Sequence, residues 1–211
     1  ANMLQYQRVD YLGVAFADEG VALREAGIKT PIIVIDDDWL YNKFLFEKMK
    51  MIRSLGIKKS SGSLISILHS DDIYNNTNIL TRVAKIAKKS KFKIFFGNVV
   101  YFKNSNFEKV IRNYPATNLN RNIFLFGNMP PHTGSFYKRE IFNRYGYYDS
   151  SFKIAGDFEH LLRLISVKKL NYLILNFIVT RMRAGGLSGK NLQSFLTINK
   201  EILKSHKMHN I

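Results

Sequence analysis

The order of hydrophobic segments along the chain predicts an α/β domain. Apolar runs typical of buried strands, such as Pro31–Ile35 and Ser63–Leu68, are separated from segments with helical spacing of apolar residues, such as Asn78–Lys89. Apolar residues make up 46% of the 211 positions, which is sufficient material for the core of one domain. We therefore expect strands and helices packed in layers rather than a disordered chain.

The first elements predicted along the chain are a strand, a helix and a second strand. The strand Val9–Val14 is followed by a helix over Asp18–Ala26 and by the β-branched strand Pro31–Ile35. This order is that of a βαβ half-unit. A further helix is expected over Phe44–Leu55.

The remaining chain is predicted to continue with strands and amphipathic helices. Further strands are expected over Phe92–Phe96, Val99–Phe102 and Tyr172–Thr180, and further helices over Phe136–Arg144, Asp157–Val167 and Asn191–Ser205. Asp157 is placed as the N-cap of its helix. The last helix is amphipathic through Leu192, Phe195, Leu196, Ile202 and Leu203.

Charge is unevenly distributed along the chain. The net charge is +16, but residues 1–40 contain three bases and seven acids and sum to −4, whereas the remainder sums to +20. Such a positive excess indicates an anionic partner, which includes nucleic acid, an anionic lipid surface or a phosphorylated substrate. Neither an RNA-binding aromatic signature nor zinc-finger spacing is present in the sequence, so we expect no specific nucleic-acid partner.

The absence of cysteine excludes disulfides, thiolate metal sites and cysteine nucleophiles. No apolar run approaches the roughly 20 residues that a transmembrane helix needs. Residues Ala1–Asp10 also lack the basic flank and apolar stretch of a signal peptide. We therefore expect neither a secreted nor a membrane-spanning protein.

Two adjacent carboxylates follow a predicted buried strand. The segment Ser70-Asp71-Asp72 comes shortly after Ser63–Leu68, and ligands in open α/β sheets bind beyond the carboxyl ends of strands. Carboxylate oxygens are suitable ligands for Mg²⁺ or Mn²⁺ on a diphosphate. Taken alone, the same residues are more often an ordinary acidic turn or a helix cap.

Three further segments contain residues with candidate chemistry. Asp157, followed by Glu159, fits either a helix cap or a general base. His132, in a Pro-Pro-His-Thr-Gly loop, fits acid–base catalysis, a phosphate contact or an incidental loop position. The basic segment Arg181–Ser188 runs into two glycines, and it either approaches phosphates closely or turns the chain.

The order of these segments is more specific than any one of them. The matching segments are Ile65–Tyr74, Phe95–Val99, His132–Phe136 with Gly146–Asp149, Ala155–Glu159 with Leu162-Arg163, and Met182–Ser188. Over about residues 56–203, they resemble family 2 glycosyltransferases with the GT-A fold, of the bacterial type that builds polysaccharides. The resemblance implies a Rossmann-like mixed sheet with flanking helices.

The resemblance also implies a reaction and a cofactor. Asp72, assisted by Asp71, would hold a divalent metal, Mn²⁺ or Mg²⁺, on the diphosphate of a nucleotide-sugar donor. Asp157 would be the base that deprotonates a hydroxyl of a polysaccharide or lipid-linked glycan acceptor, in an inverting single displacement.

The same resemblance implies roles for four more residues. His132 would be a second catalytic residue, His132 and Arg183 would line the donor or acceptor site, and Glu159 and Arg163 would contact the substrate. Such an enzyme is expected in the cytoplasm, at the inner membrane face where its basic charge meets anionic lipid.

The resemblance to glycosyltransferases does not extend to the start of the chain. Family members begin with a strand and a D-x-x-S-x-D-x-T segment that binds the nucleotide, and nothing before Gly56 matches it. We therefore expect a glycosyltransferase-like domain over residues 41–211 that is incomplete at its N-terminus, and whose activity is impaired or lost for that reason.

The start of the chain resembles a different family. Val9–Gly20, Leu23–Ile28 and Pro31-Ile32 are similar to bacterial alanine racemase, in which this stretch forms one βα step of the pyridoxal phosphate-binding barrel. The cofactor lysine and catalytic tyrosine motifs of that family are absent from this sequence, so residues 1–40 are interpreted as a racemase-like segment without racemase activity.

Two alternatives remain open at this stage. One is a non-catalytic basic module that rests on an anionic membrane or on a partner protein. The other is a fragment of an alanine racemase fusion, produced by joining two genes, that has no selected function as a whole.

Overall fold

The computed structural model describes residues 54, 56–68, 72–103, 106–116, 121–184 and 192–211, together with two short strands near the start of the chain. These are β1 (Leu12–Val14) and β2 (Ile32–Val34), which run parallel to each other. The parallel pair agrees with the predicted βαβ half-unit. The helix predicted over Asp18–Ala26, and all but Ser54 of the one predicted over Phe44–Leu55, lie outside the described residues.

A mixed sheet of six strands forms the centre of the molecule. The strands are β3 (Leu64–Ser66), β4 (Ile73–Tyr74), β5 (Ile94–Lys103), β6 (Asn106–Tyr114), β7 (Ser135–Lys138) and β8 (Leu173–Arg183). Their order is β3-β7-β5-β8-β4, with β6 paired to the second half of β5. The β5–β8 pair is parallel and the other pairs are antiparallel.

Helices flank this sheet. They are α1 (Ile79–Lys89), α2 (Glu140–Tyr145), α3 (Gly156–Leu162) and α4 (Leu192–His209), with 3₁₀ turns at Arg121–Phe126 and His132–Gly134 and a π-helical turn at Arg163–Val167. No helix in the described part of the chain is long and apolar enough to cross a bilayer.

Alternate residues of the central strands face opposite layers of the fold, as the two-residue period of a strand requires. Phe95 on β5 and Phe136 on β7 pack with the buried face of α1. Their neighbours Phe96 and Tyr137 pack on the other side of the sheet, with residues of α2 and α3. The predicted α/β class, with a mixed sheet and flanking helices, is confirmed.

Two predictions of secondary structure were wrong in the middle of the chain. Phe136–Arg144 is not one helix, because its first residues form β7 and are buried on alternate faces of the sheet before α2 begins at Glu140. The strands predicted over Phe92–Phe96 and Val99–Phe102 are one continuous strand, β5. Strand β6 was not predicted, and its residues 109–113 are exposed.

Asp157 is not the N-cap of its helix, contrary to the prediction. Ala155 occupies the cap position, and Asp157 is the second residue of α3. The helix does reach Val167 as expected, because the π-helical turn continues α3 without a break. Because the side chain of Asp157 does not cap α3, it is available for contacts outside its own helix.

The buried face of α4 also differs from the prediction. Phe195, Leu196 and Leu203 are exposed, whereas Glu201 and Ser205 are buried. The carboxylate of Glu201 turns inward because it accepts hydrogen bonds from the backbone N–H groups of the three consecutive residues 153–155, which precede α3. Three hydrogen bonds to an ionised group outweigh the cost of its burial.

Gly134 lies against β5 where the chain enters β7, and it leaves no room for a side chain. A Cβ atom there would lie 2.5 Å from the carbonyl oxygen of Gly97 and 2.9 Å from Cγ2 of Val99. Because the oxygen belongs to a central strand, we expect Gly134→Ala to lower the free energy of unfolding by about 1–3 kcal/mol in urea titrations.

The matched control for this substitution is Gly56→Ala, whose Cβ would meet nothing within 4 Å. Its unfolding midpoint should equal or exceed that of the unsubstituted protein. Indistinguishable midpoints for the two variants would contradict the close approach of Gly134 to β5.

Candidate functional site

Asp72 lies at the end of the sheet where β4 joins β8. Ile73 pairs with Arg181, and Oδ1 of Asp72 accepts a hydrogen bond from the backbone N–H of Arg183, with 3.2 Å between the two atoms. The side chain is buried. The backbone of β8 therefore sets the position of this carboxylate, whereas Asp71 lies outside the described residues.

A histidine and a carboxylate meet close to the same end of the sheet. Nε2 of His132 lies 3.6 Å from Oδ2 of Asp157, and the side chains are 21% and 12% exposed. His132 begins the 3₁₀ turn before β7, and Asp157 lies in the first turn of α3. The pair is thus fixed by two different elements and reachable from solvent.

Hydrogen bonds to the strands hold the loop that carries His132. The hydroxyl of Thr180, on β8, donates to the carbonyl of Thr133 at 2.8 Å. The hydroxyl of Ser135 donates to the carbonyl of Pro131 at 2.9 Å. Because both bonds are buried, the backbone on either side of His132 is held rigidly against the sheet.

Strand β8 brings the two parts of the site together. Thr180 contacts the His132 loop and Arg183 contacts Asp72. These two residues of β8 are three positions apart, which corresponds to about 10 Å along a strand. Asp72 and the loop of His132 therefore both lie beside the last residues of β8. We call this end of the sheet, with Asp72, His132, Asp157 and Arg183, the β8 edge.

Glu159 and Arg163 pair with each other rather than with residues of the β8 edge. Nε of Arg163 lies 2.8 Å from Oε1 of Glu159, and Nε2 of His209 lies 2.9 Å from the same oxygen. Arg163 also donates to the carbonyls of Tyr145 and Tyr147. These contacts tie α3 to α4 and to the loop after α2, and the predicted contact of Glu159 and Arg163 with substrate stays a prediction.

The sequence interpretation missed a cluster of aromatic and basic residues near Asp72. The guanidinium of Arg112 lies 5.3 Å from the ring centre of Tyr101 and 6.0 Å from that of Tyr114. Burial raises the pKa of Tyr101, an effect that Arg112 opposes and Asp72 reinforces. Burial likewise raises the pKa of Tyr114 to about 12, and its hydroxyl donates to the carbonyl of Met129 at 2.6 Å.

This cluster depends on the pairing of β5 with β6, which places Tyr101 opposite Arg112. The signal in the sequence was the β-branched pair Val110-Ile111 close to Tyr114, because β-branched and aromatic residues are enriched in strands. Recognising it would have predicted a hairpin beside the β8 edge.

His160 is a core histidine. Its ring stacks on Phe142 with 5.2 Å between the ring centres and lies 4.4 Å from that of Tyr148. Neither ring nitrogen forms a hydrogen bond to any residue that the structure describes. Burial lowers the pKa of His160 to about 3, with Arg163 acting in the same direction and Asp157 against it. The ring is therefore neutral at pH 7.

A divalent metal is compatible with the donor chemistry of the β8 edge. Among the described residues, no group of three or more His, Asp or Glu side chains is arranged to hold a metal ion. Asp71 lies outside the described residues. Mg²⁺ sites on phosphates typically use one or two carboxylates, with water and the substrate completing the shell. The carboxylate of Asp72 fits that limited role.

Comparison with known sequences gives one short match. No protein-family model matches the chain. A stretch of 44 residues, 21% of the chain, is 52% identical to the alanine racemase of Thermodesulfovibrio yellowstonii, and it covers 12% of that protein. This confirms a racemase-like stretch and nothing more of that enzyme.

Comparison with solved structures identifies a similar fold in TarS, a glycosyltransferase of S. aureus. TarS 1–349 superposes with a TM-score of 0.51 at 13% identity, covering 95% of this chain and 65% of that one. The complex of TarS 1–349 with UDP-GlcNAc superposes with a TM-score of 0.51 at 12% identity, covering 95% and 67%. This chain therefore spans about two thirds of TarS 1–349 and has a fold similar to that of TarS.

The burial of neutral His160 predicts a pH dependence of stability. Between pH 6.5 and about 3 the unfolded chain binds a proton at this ring and the folded chain does not. The free energy of unfolding should therefore fall as the pH decreases through this window, with a slope of up to about 1.4 kcal/mol per pH unit from this group.

The substitution His160→Phe removes that proton site and keeps an aromatic ring in the core. Urea unfolding of both proteins at pH 7, 6, 5 and 4 measures the effect. The stability of the variant should decrease less steeply below pH 6.5. Parallel curves would show that His160 does not titrate differently in the folded and unfolded states.

Proposed function

We propose that the chain is a glycosyltransferase of the family 2, GT-A type. It transfers a sugar from a nucleotide-sugar donor to a hydroxyl of a polysaccharide or lipid-linked glycan. The observation that carries the proposal is the juxtaposition along β8 of Asp72 with the His132–Asp157 pair. The likeness of the fold to TarS, which has been crystallised with UDP-GlcNAc, supports a nucleotide sugar as the donor.

Asp157 is the base in the proposed reaction. As the acceptor oxygen bonds to the anomeric carbon, its proton passes to the carboxylate of Asp157 and the bond from that carbon to the diphosphate oxygen breaks. Attack on the face opposite the leaving group inverts the anomeric configuration. His132, 3.6 Å from the carboxylate, orients Asp157 in the proposed reaction.

Asp72 is the proposed metal ligand, together with Asp71 beside it in the sequence. A bound Mn²⁺ or Mg²⁺ supplies positive charge that offsets the negative charge of the departing nucleotide diphosphate. The hydrogen bond from the backbone of Arg183 keeps Asp72 in place. Arg183 also adds a positive charge where the diphosphate is expected.

The proposed catalytic unit lies within residues 41–211, and the division of the chain at residue 40 stays a prediction. The racemase-like stretch supplies no group to the proposed reaction. The residues with an assigned role come from β8, from the 3₁₀ turn that begins at His132, from α3 and from the segment 71–72.

The substitution Asp157→Asn tests the role of the base. Each protein is incubated with Mn²⁺ and a panel of nucleotide sugars that includes UDP-GlcNAc. The release of nucleoside diphosphate then measures both sugar transfer and hydrolysis of the donor. We expect the rate to fall by about 100-fold or more, because an amide cannot accept the acceptor proton.

The matched control is Glu140→Gln, which makes the same chemical change in an exposed residue that pairs with Lys93. It should keep the rate of the unsubstituted protein. Undiminished nucleotide release by Asp157→Asn, or no release by the unsubstituted protein with any donor of the panel, would contradict the proposal.

A further inference from the structure

Helix α4 presents large apolar side chains to solvent. Phe195, Leu196 and Leu203 are 62%, 50% and 60% exposed. Leu196 and Leu203 are seven residues apart, which places them on the same face of the helix, two turns apart. A helix whose outward face is apolar needs a partner, because isolated globular proteins rarely expose contiguous apolar patches.

The 3₁₀ turn at Arg121–Phe126 extends this apolar face. Nε2 of His206 lies 2.9 Å from the carbonyl oxygen of Phe124, so the turn packs on α4 about one helical turn from Leu203. Leu125 and Phe126, which follow, are 52% and 78% exposed. The turn therefore adds two exposed apolar residues beside α4.

Lysines lie among these apolar residues. Lys200 and Lys207 stand three residues before and four residues after Leu203, so all three occupy the same side of the helix. Lys204 lies at the margin, where its Nζ donates to the hydroxyl of Ser151 at 2.7 Å. The one acidic residue in the sequence of α4, Glu201, is turned inward.

We propose that this surface docks on an anionic lipid bilayer. We call it the α4 face and define it by Leu196, Leu203, Phe126, Lys200 and Lys207. Apolar side chains beside lysines are the composition of helices that lie in the bilayer interface, where the rings and leucines enter the acyl boundary and the lysines meet lipid phosphates. Charge complementarity favours this partner over a second copy of the chain, because a two-fold contact would bring the lysines of both copies together.

Docking by the α4 face is independent of sugar transfer. The residues of this face are not those of the β8 edge, so loss of one property leaves the other measurable. If both hold, docking brings the enzyme to the surface where a lipid-linked acceptor resides.

Sedimentation with lipid vesicles tests the proposal. The protein should bind vesicles of phosphatidylcholine with 30 mol% phosphatidylglycerol at about 50 mM salt, and bind pure phosphatidylcholine vesicles at least about tenfold more weakly. The double variant Lys200→Gln/Lys207→Gln should partition about 30-fold more weakly onto the anionic vesicles.

The matched control removes two lysines from another face. Lys85 and Lys88 are exposed on α1, and Lys85→Gln/Lys88→Gln lowers the net charge by the same amount. This control should bind within about threefold of the unsubstituted protein. Equal losses for the two pairs would show that binding reflects net charge alone and would overturn the assignment to the α4 face.

The apolar contribution has its own test. Leu196→Ser/Leu203→Ser should lower binding by about tenfold or more at 500 mM salt, where electrostatic attraction is screened. Far-UV circular dichroism verifies that the variant keeps its helices. Absence of vesicle binding by the unsubstituted protein, or a dimer in sedimentation equilibrium that these two substitutions dissociate, would assign the surface to another partner and refute lipid docking.

Discussion

The parallel pairing of β5 with β8 is the constraint on which the rest of the structure depends. It requires Gly97, because a Cβ atom at that position would lie 2.1 Å from Cγ2 of Val179 on β8. The register shifts at this point, from Gly97 opposite Leu175 to Val99 opposite Thr180, so β8 carries three extra residues there. Beyond the shift, β8 continues along β5 to Arg183 and provides the edge at which Asp72 and the His132 loop are held.

A second set of interactions fixes the element that carries Asp157. The carboxylate of Glu201 accepts hydrogen bonds from three consecutive backbone N–H groups just before α3. Glu159, in α3, pairs with Arg163 and His209. Buried charges of this kind are costly unless fully hydrogen-bonded, and here each carboxylate has several partners. Their effect is to hold the start of α3 against α4, which restricts the position of Asp157.

Much of the fold could be predicted from the sequence because its periodic signals are strong. The apolar stripe of α1 and the apolar runs of the strands pack against neighbouring layers of the fold. Their spacing along the sequence is therefore enough to predict a helix or a strand. The exposed apolar residues of α4 could not be predicted, because the helix turns Glu201 inward to bond with N–H groups 46 to 48 residues earlier in the chain. The strand β7 was mistaken for helix because Phe136 and Tyr137 are both apolar and both buried, on opposite faces of the sheet.

The candidate site, too, was predictable in part and depends in part on contacts between distant segments of the chain. The resemblance implied a common site for Asp72, His132 and Asp157. In the structure, β8 is hydrogen-bonded to Asp72 and to the loop of His132, and Asp157 lies against His132. The Tyr101–Arg112–Tyr114 cluster was missed because it arises from the long-range pairing of β5 with β6. Glu159 and Arg163 lie four residues apart on one helix, which favours their mutual ion pair over a contact with a ligand.

The proposed function depends on the binding of a nucleotide sugar at the β8 edge with a divalent metal on Asp72. Isothermal titration of UDP-GlcNAc into the full chain, with Mn²⁺ and with EDTA, measures this binding, and the protein with the Asp72→Asn substitution is titrated in parallel. Binding should require Mn²⁺ and should weaken by about tenfold or more in Asp72→Asn. Absence of binding to the unsubstituted protein, or an affinity that neither EDTA nor the substitution alters, would contradict the proposed function.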